Sequence, residues 1–190
     1  MSSVPDFQFS PSDRRALLAL ARDAILSALQ GGPRTPAASE PRCFSLCHGV
    51  FVTLEVAGRL RGCIGVVEAR DPLRDAVIHY AQAAAFRDPR FAPLRLEEVP
   101  GLRIEISVLS NVSPIRPDEI AIGKHGLVIA SAGNRGLLLP QVAAEQHLTR
   151  EQFLEETCRK AGLPRDAWRR PETSVSAFTC EVFHEVRDGA

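Results

Sequence analysis

The chain has 190 residues, and its 23 basic side chains balance its 23 acidic ones, so the formal net charge at pH 7 is zero. This balance argues against nucleic acid or an anionic membrane as a partner, and an aromatic content of only 6% leaves few rings that could stack on bases. No apolar stretch approaches the roughly 20 residues of a membrane span, and the N-terminus has no signal-peptide pattern. The five cysteines are an odd number, which disfavours a disulfide framework. We therefore expect a cytoplasmic protein with free thiols.

The first part of the chain predicts two helices. Ser10 is a typical N-cap, a proline follows in the first turn, and apolar residues then recur at helical spacing until Gly31. Residues 31–41 hold three prolines and predict a loop. A second helix follows the Asp71-Pro72 pair and ends before Asp88, because Asp88 precedes a proline and is pushed out of helical geometry.

Two alternating segments within residues 50–67 predict a β-hairpin between these helices. Alignment of their aliphatic faces requires a three-residue loop. This register places Phe51 opposite Cys63 and puts Leu60 on the aliphatic face. Arg61 then lies beside Cys63 on the other, less apolar face, so we expect a thiol with a guanidinium neighbour.

The second half of the chain predicts further strands and helices. In chain order these are a strand over 102–109, a hairpin over 127–139, a short helix from Pro140, a helix capped by Thr149 and Gln152, and a strand over 175–183. The hairpin is expected to turn at Gly133 and Asn134 in a type II′ turn. Because hairpins and helices alternate in this order, we expect an α+β fold with a mainly antiparallel sheet flanked by helices.

The most specific motif in the chain is the hexapeptide Leu60–Gly65, which reads Leu-Arg-Gly-Cys-Ile-Gly. Together with other segments it resembles the AMMECR domain proteins, which are called AmmeMemoRadiSam system protein A in bacteria. The other matching segments are 51–54, 85–91, 107–110, 123–126, 138–143 and 145–146. The resemblance runs from Ala16 to Glu185 and thus covers nearly the whole chain.

This resemblance implies one AMMECR-type domain over residues 1–190 that consists of two subdomains. The larger subdomain would comprise residues 10–110 plus 174–186 and hold the hexapeptide, and the smaller α+β subdomain would comprise residues 111–173. The resemblance also implies that the protein acts with Memo-type and radical SAM proteins in a modification or redox pathway. It supplies no reaction, so enzymatic activity is left open.

Cys63 is the first candidate functional residue, and it has two interpretations. In one, Cys63 fills a tight place in the sheet, since free cysteines are often small buried hydrophobes and glycines such as Gly62 and Gly65 mark close packing in strands. In the other, Arg61 stabilises a thiolate, and Cys63 acts as a nucleophile, redox centre or attachment point. On the second interpretation Cys63 and Arg61 are candidate catalytic residues, and the two glycines line a cleft at the hexapeptide.

Asp88, Arg90 and His125 are further candidate binding residues. Asp88 and Arg90 form either a helix-ending turn with a surface ion pair of little energetic value or the charged edge of a pocket that faces the hexapeptide. His125 lies in a tight turn, and it is a candidate because imidazole titrates near neutral pH.

Cys43, Cys47 and His48 suggest a metal site only weakly. Their spacing lacks the third cysteine of a radical SAM cluster and has one residue too many between the cysteines for covalent haem attachment. A zinc site would have to recruit a further ligand from a distant part of the chain. We therefore expect no metal and no cofactor.

Two functions fit these features. The first is a small enzyme, or an enzyme subunit, with thiol chemistry at the hexapeptide. The second is a non-catalytic module that presents the same surface to a protein partner. An RNA-binding adaptor is disfavoured by the neutral charge and the scarcity of aromatic residues. The patterns indicate neither a substrate nor an oligomeric state.

Overall fold

A computed structural model describes residues 8–32 and 41–186 of the chain. It has an α+β fold with a mainly antiparallel sheet and flanking helices, so the predicted fold class is confirmed. Most of the loop predicted over residues 31–41 lies outside the described residues. Within the described parts of the chain, no helix is both long and apolar enough to cross a membrane.

The chain divides into two compact units. The larger unit contains Gln8–Val108, without residues 33–40, and residues 181–186. The smaller unit is formed by Leu109–Cys180. The subdomain boundaries implied by the family resemblance remain a prediction.

The two predicted helices of the larger unit are confirmed. Helix α1 (Pro11–Gln30) begins at Ser10, whose hydroxyl accepts the backbone N–H of Asp13 in a capping box. It ends at Gly31 in the left-handed conformation. Helix α2 (Leu73–Phe86) packs against α1 and against the first two strands.

Strands β1 (Gly49–Val56) and β2 (Arg59–Val66) form the first hairpin. Its loop has two residues, Ala57 and Gly58, with φ values of 52° and 75°. Positive φ at both central positions is the type I′ geometry, whose twist matches that of the flanking strands. The predicted three-residue loop is therefore wrong.

The shorter loop changes the register of the whole hairpin. Cys63 pairs with Thr53, and Phe51 pairs with Gly65, so the predicted pairing of Phe51 with Cys63 is wrong. The register shifts between Leu54 and Glu55, where β2 contains one extra residue, Arg61. Such a β-bulge redirects side chains and bends the strand.

The bulge also moves Leu60 away from its expected position. Leu60 pairs with Glu55 and is 46% exposed, so it does not join the aliphatic face. That face is formed by Val50, Val52 and Leu54, all fully buried. A two-residue period cannot reveal an inserted residue, which is why the sequence pattern misplaced both Leu60 and Arg61.

In the larger unit the strand order is β2-β1-β3-β7, so β2 is an edge strand. Strand β3 (Leu102–Leu109) alternates between buried and half-buried residues over its first half, with Ile104 and Ile106 fully buried. Strand β7 (Ser174–His184) gives its last residues to this unit, where Glu185 donates its backbone N–H to the carbonyl oxygen of Ile104.

In the smaller unit the strand order is β7-β5-β6, with the two-residue strand β4 (Ser113–Pro114) also paired to β7. The remaining elements are β5 (His125–Ser131), β6 (Asn134–Leu138), α3 (Pro140–Glu145) and α4 (Arg150–Lys160). The hairpin turns at Ala132 and Gly133, both with positive φ, so the expected type II′ turn at Gly133 and Asn134 is wrong. The core of the smaller unit includes Ile120, Leu127, Ile129, Phe153, Leu154 and Ala177.

Gly62 allows α2 to approach the sheet closely. A Cβ atom on Gly62 would overlap the backbone carbonyl oxygen of Ala84 in α2. Backbone atoms within a helix cannot move aside as a side chain can, so this position admits no side chain. Gly62 therefore sets the distance between helix and strand.

We predict that Gly62→Ala lowers the free energy of unfolding by about 1–3 kcal/mol, because it overpacks this contact. Gly101→Ala is the matched control, since its Cβ would meet Val56 at an ordinary 3.7 Å. Urea denaturation of both variants and the parent chain measures the difference. Equal stabilities of the two variants would show that α2 does not depend on the close approach.

Candidate functional site

The thiol of Cys63 lies on the sheet face opposite to α2. Side chains alternate along a strand, so Cys63 points away from the side on which Gly62 meets the helix. Its side chain is half-buried, and Thr53 Oγ1 donates a hydrogen bond to Cys63 Sγ at 3.2 Å. The sulfur is thus an acceptor with a fixed donor beside it.

The backbone of Cys63 is held from the outer edge of β2. Its N–H donates to Asp88 Oδ2 at 2.9 Å, and its carbonyl oxygen accepts a hydrogen bond from Arg90 Nη2 at 3.2 Å. An edge strand otherwise presents these groups unpaired. Asp88 and Arg90 therefore take the place of a neighbouring strand at this one residue, and we call this arrangement the edge clamp.

The carboxylate of Asp88 is the centre of the edge clamp. Its side chain is 1% exposed, and Arg90 donates to it from Nε at 2.9 Å and from Nη2 at 2.7 Å. The Arg90 backbone N–H adds a further bond at 3.1 Å, which closes the turn after α2. The guanidinium of Arg90, followed by the N–H groups of Cys63 and Arg90, outweighs burial and holds the pKa of Asp88 well below its ordinary value.

This geometry corrects one interpretation of the Asp88-Pro89-Arg90 turn. The ion pair is not a surface pair of little value, because its acidic member is buried and accepts four hydrogen bonds. Arg90 remains 54% exposed and lies over the ring of Phe91 at 5.4 Å. A ligand-binding role for Arg90 stays a prediction.

Arg61 is not a neighbour of the thiol in the way that the pattern predicted. As the bulged residue it turns towards Glu98, with Nε to Oε1 at 2.8 Å. It also donates to the carbonyl oxygens of Ala92 and Pro93 at 2.6 and 3.2 Å. The Arg61 guanidinium lowers the pKa of Glu98, which reflects a pair that ties β2 to the turn before β3. The side chain of Arg61 thus has a structural role.

Gly65 also has a packing role. A Cβ atom there would overlap the Val50 carbonyl oxygen and the Phe51 ring. Gly65 pairs with Phe51 across the hairpin, so the aromatic side chain occupies the space that a Gly65 side chain would need. Both glycines of the hexapeptide are therefore explained by close packing.

His125 belongs to the smaller unit. It is buried at the start of β5, and its Nδ1 accepts the backbone N–H of Ala121 at 3.1 Å. This bond closes the turn that precedes the strand. A binding role for His125 stays a prediction.

Cys43 and Cys47 have different environments. Cys43 is buried, and burial followed by its hydrogen bond to Asp13 raises its pKa to about 12. Cys47 is exposed. In the described ranges, no three His, Cys, Asp or Glu side chains come together in a possible metal site.

A groove of about 1140 Å³ opens elsewhere on the larger unit, beside the turn of the first hairpin. Its lining includes Arg22, Glu55, Arg103 and His184, and none of the residues predicted at the hexapeptide cleft. Glu55, Arg103 and His184 lie on β1, β3 and β7, and Cys63 is not part of the lining. The cleft predicted at the hexapeptide stays a prediction.

Thr53 was not predicted as a partner of Cys63, because the predicted register of the hairpin was wrong. The available signal was loop length, because two-residue loops are the commonest hairpin connections. Gly58 fits such a loop, since glycine adopts positive φ without steric cost. Glu105, a half-buried carboxyl on β3, was not predicted either. Its position relative to Cys63 depends on strand order, which local patterns do not encode.

The fold and this site define an α+β protein that displays one clamped cysteine on an edge strand. The AMMECR1 family model matches residues 18–183, and the chain belongs to the AMMECR1 family.

Its relatives agree over almost their full lengths. A protein of Methanothermobacter thermautotrophicus is 44% identical over 184 residues, which are 93% of this chain and 96% of the relative. A protein of Aquifex aeolicus is 42% identical over 182 residues, covering 91% and 93%. The crystal structure of the uncharacterized protein PH0010 from Pyrococcus horikoshii is similar with a TM-score of 0.84, at 40% identity and 94% coverage of both chains.

We predict that Asp88→Asn lowers the free energy of unfolding at pH 7 by about 2–3 kcal/mol, because a charged acceptor of several hydrogen bonds is lost. The folded-state pKa of Asp88 is lowered, so its ionised form stabilises the fold above the unfolded pKa of about 4, and this stabilisation is lost as the pH falls below that value. The difference between variant and parent should therefore shrink in acid.

Urea denaturation from pH 7 down to pH 3 tests this, with Asp75→Asn as the control because that side chain is 58% exposed on α2. A penalty for Asp88→Asn that stays constant with pH would contradict the ionised edge clamp.

Proposed function

We propose that Cys63 is the nucleophile of a thiol-dependent group transfer. The hydrogen bond from Thr53 to the sulfur carries this proposal, because it gives the half-buried thiol a donor for the negative charge of a reacting thiolate. In the transfer, Cys63 Sγ bonds to the transferred group R as the R–X bond breaks, and the thiol proton leaves with X. The products are a Cys63–S–R adduct and HX.

The other residues of the hexapeptide, and the edge clamp, each have a structural role that accounts for their presence. Gly62 and Gly65 are required by packing, and Arg61 ties β2 to the turn before β3. Asp88 and Arg90 fix the Cys63 backbone. The Cys63 thiol differs from them, because a hydroxyl group donates a hydrogen bond to its sulfur. We take this contact as support for a chemical role of the thiol. Rigid placement of a reacting group is itself a catalytic advantage.

The pathway is proposed from the family resemblance alone. In it the protein acts with Memo-type and radical SAM proteins in a modification or redox pathway in the cytoplasm, without nucleic acid or membrane. A group carried on Cys63 could then pass from one of these proteins to another.

The alternative is a non-catalytic binding module that presents the same edge to a protein. Two exposed side chains favour it: Leu60 is 46% exposed, and Arg90 is 54% exposed. An apolar and a cationic group at a strand edge are features that protein partners bind. In this alternative the thiol has no chemical role.

We predict that Thr53→Val slows modification of Cys63 by about fivefold, since a net hydrogen bond of about 1 kcal/mol is lost. Thr53→Ser, which keeps the hydroxyl, should retain the parent rate. The second-order rate with iodoacetamide, measured by mass spectrometry of the Cys63 peptide, makes the comparison. Equal rates in the valine and serine variants would show that the Thr53 hydroxyl does not assist the thiol, which would contradict the proposal.

A Cys63→Ser variant separates the two functions. The parent chain is used to capture a Memo-type or radical SAM protein of the same genome, and the Cys63 peptide is then examined by mass spectrometry. Group transfer requires an adduct on Cys63 that the serine variant lacks. Capture with unchanged affinity by the serine variant, and no adduct on the parent, would favour the binding module.

A further inference from the structure

Glu105 is a half-buried carboxyl on the sheet of the larger unit. Glu105 lies between Ile104 and Ile106 on β3, both fully buried, so its side chain projects from the opposite face. On that face Arg103 Nη1 lies 3.5 Å from Glu55 Oε2. Within residues 8–32 and 41–186, the Glu105 carboxyl makes no hydrogen bond and no ion pair within 4.0 Å.

Glu105 and the Cys63 thiol share this face. Glu55, which contacts Arg103, is two residues from Thr53 on β1, so both point to the same side. Thr53 is paired with Cys63 and bonded to its sulfur. Because β1 lies between β2 and β3, the strands that carry the thiol and the carboxyl are about 10 Å apart. A small substrate that lies across β1 would contact both groups.

The surroundings of Glu105 favour its protonated form. Burial, followed by the negative charge of Glu55, raises the pKa of Glu105, and His184 and Arg103 oppose this. These three side chains belong to β1, β7 and β3. A carboxyl whose pKa is raised in this way is better suited to donate a proton.

We propose that Glu105 is the general acid of the Cys63 site and that the substrate is an acyl donor with an oxygen or nitrogen leaving group. The inference rests on the proposed group transfer. An alkoxide, an amide anion or an unactivated phenolate is a poor leaving group that needs a proton as it departs, whereas p-nitrophenolate or a thiolate does not. An unpaired acid near the thiol therefore points to esters and amides.

The atoms of the step balance. Cys63 Sγ forms a bond to the acyl carbon, and the carbon–oxygen or carbon–nitrogen bond breaks. Glu105 gives its proton to the departing atom, and the proton released from the thiol restores the acid. The products are an S-acyl Cys63 and a free alcohol or amine.

Two ester probes with different leaving groups test the inference. The rate of Cys63 acetylation is measured by mass spectrometry with phenyl acetate and with p-nitrophenyl acetate, and the rate of alkylation with iodoacetamide, which needs no acid. Cys63→Ser supplies the background. The variants are Glu105→Gln and, as a matched control, Asp23→Asn, an exposed acid on α1.

With phenyl acetate we expect Glu105→Gln to react at least about tenfold more slowly, a modest share of what general acids contribute. The other two reagents should react within about twofold of the parent rate, since they need no proton donor. The ratio of the phenyl to the nitrophenyl rate should fall in the parent as the pH rises and Glu105 ionises, and it should be independent of pH in Glu105→Gln.

An equal loss with all three reagents would overturn the inference, because it would indicate a structural role for Glu105. Unchanged rates with phenyl acetate would overturn it as well. In both cases the proposed function stands as long as Cys63 itself reacts. Failure of the parent Cys63 to react with any of the three reagents would instead refute the proposed function, and the inference with it.

Discussion

The edge clamp is the interaction on which the rest of the site depends. A buried carboxylate, Asp88, binds the Cys63 backbone N–H, and the Arg90 that neutralises it binds the Cys63 carbonyl oxygen. A buried carboxylate without a partner is costly, so Asp88 requires the Arg90 guanidinium and the backbone donors around it. The turn after α2 and the edge strand are thereby fixed to each other at the residue that carries the thiol.

The hexapeptide combines three structural devices around one chemical group. Gly62 admits the backbone of α2, Gly65 admits the Phe51 ring, and the bulge at Arg61 turns a cation away to Glu98. Each device also affects Cys63, because together they fix which face the thiol occupies and how far the helix lies from its strand. A motif can therefore be highly specific while most of its residues act through packing.

Local signals in the sequence predicted most of the secondary structure. Ser10, Gly31 and the prolines at helix ends mark α1 and α2 through capping and steric rules, which act within a few residues. The hairpin register was wrong because alternation detects faces and cannot detect one extra residue such as Arg61. Thr53 and Glu105 were missed for a related reason, since their relation to Cys63 depends on register and strand order. Asp88 and Arg90 were predicted as charged neighbours, but their bonds to the Cys63 backbone depend on how the turn after α2 packs against β2, which local patterns do not encode.

Labelling of the five cysteines in the folded protein tests the central claim most directly, namely that Cys63 is a chemical rather than a packing residue. After brief exposure to iodoacetamide, peptide mapping by mass spectrometry gives the modified fraction of each thiol. We expect Cys63 and the exposed Cys47 to be labelled in the folded state, while the buried Cys43 and Cys158 stay unmodified until the protein unfolds. Labelling of Cys63 only together with Cys43 and Cys158, on unfolding, would contradict the account.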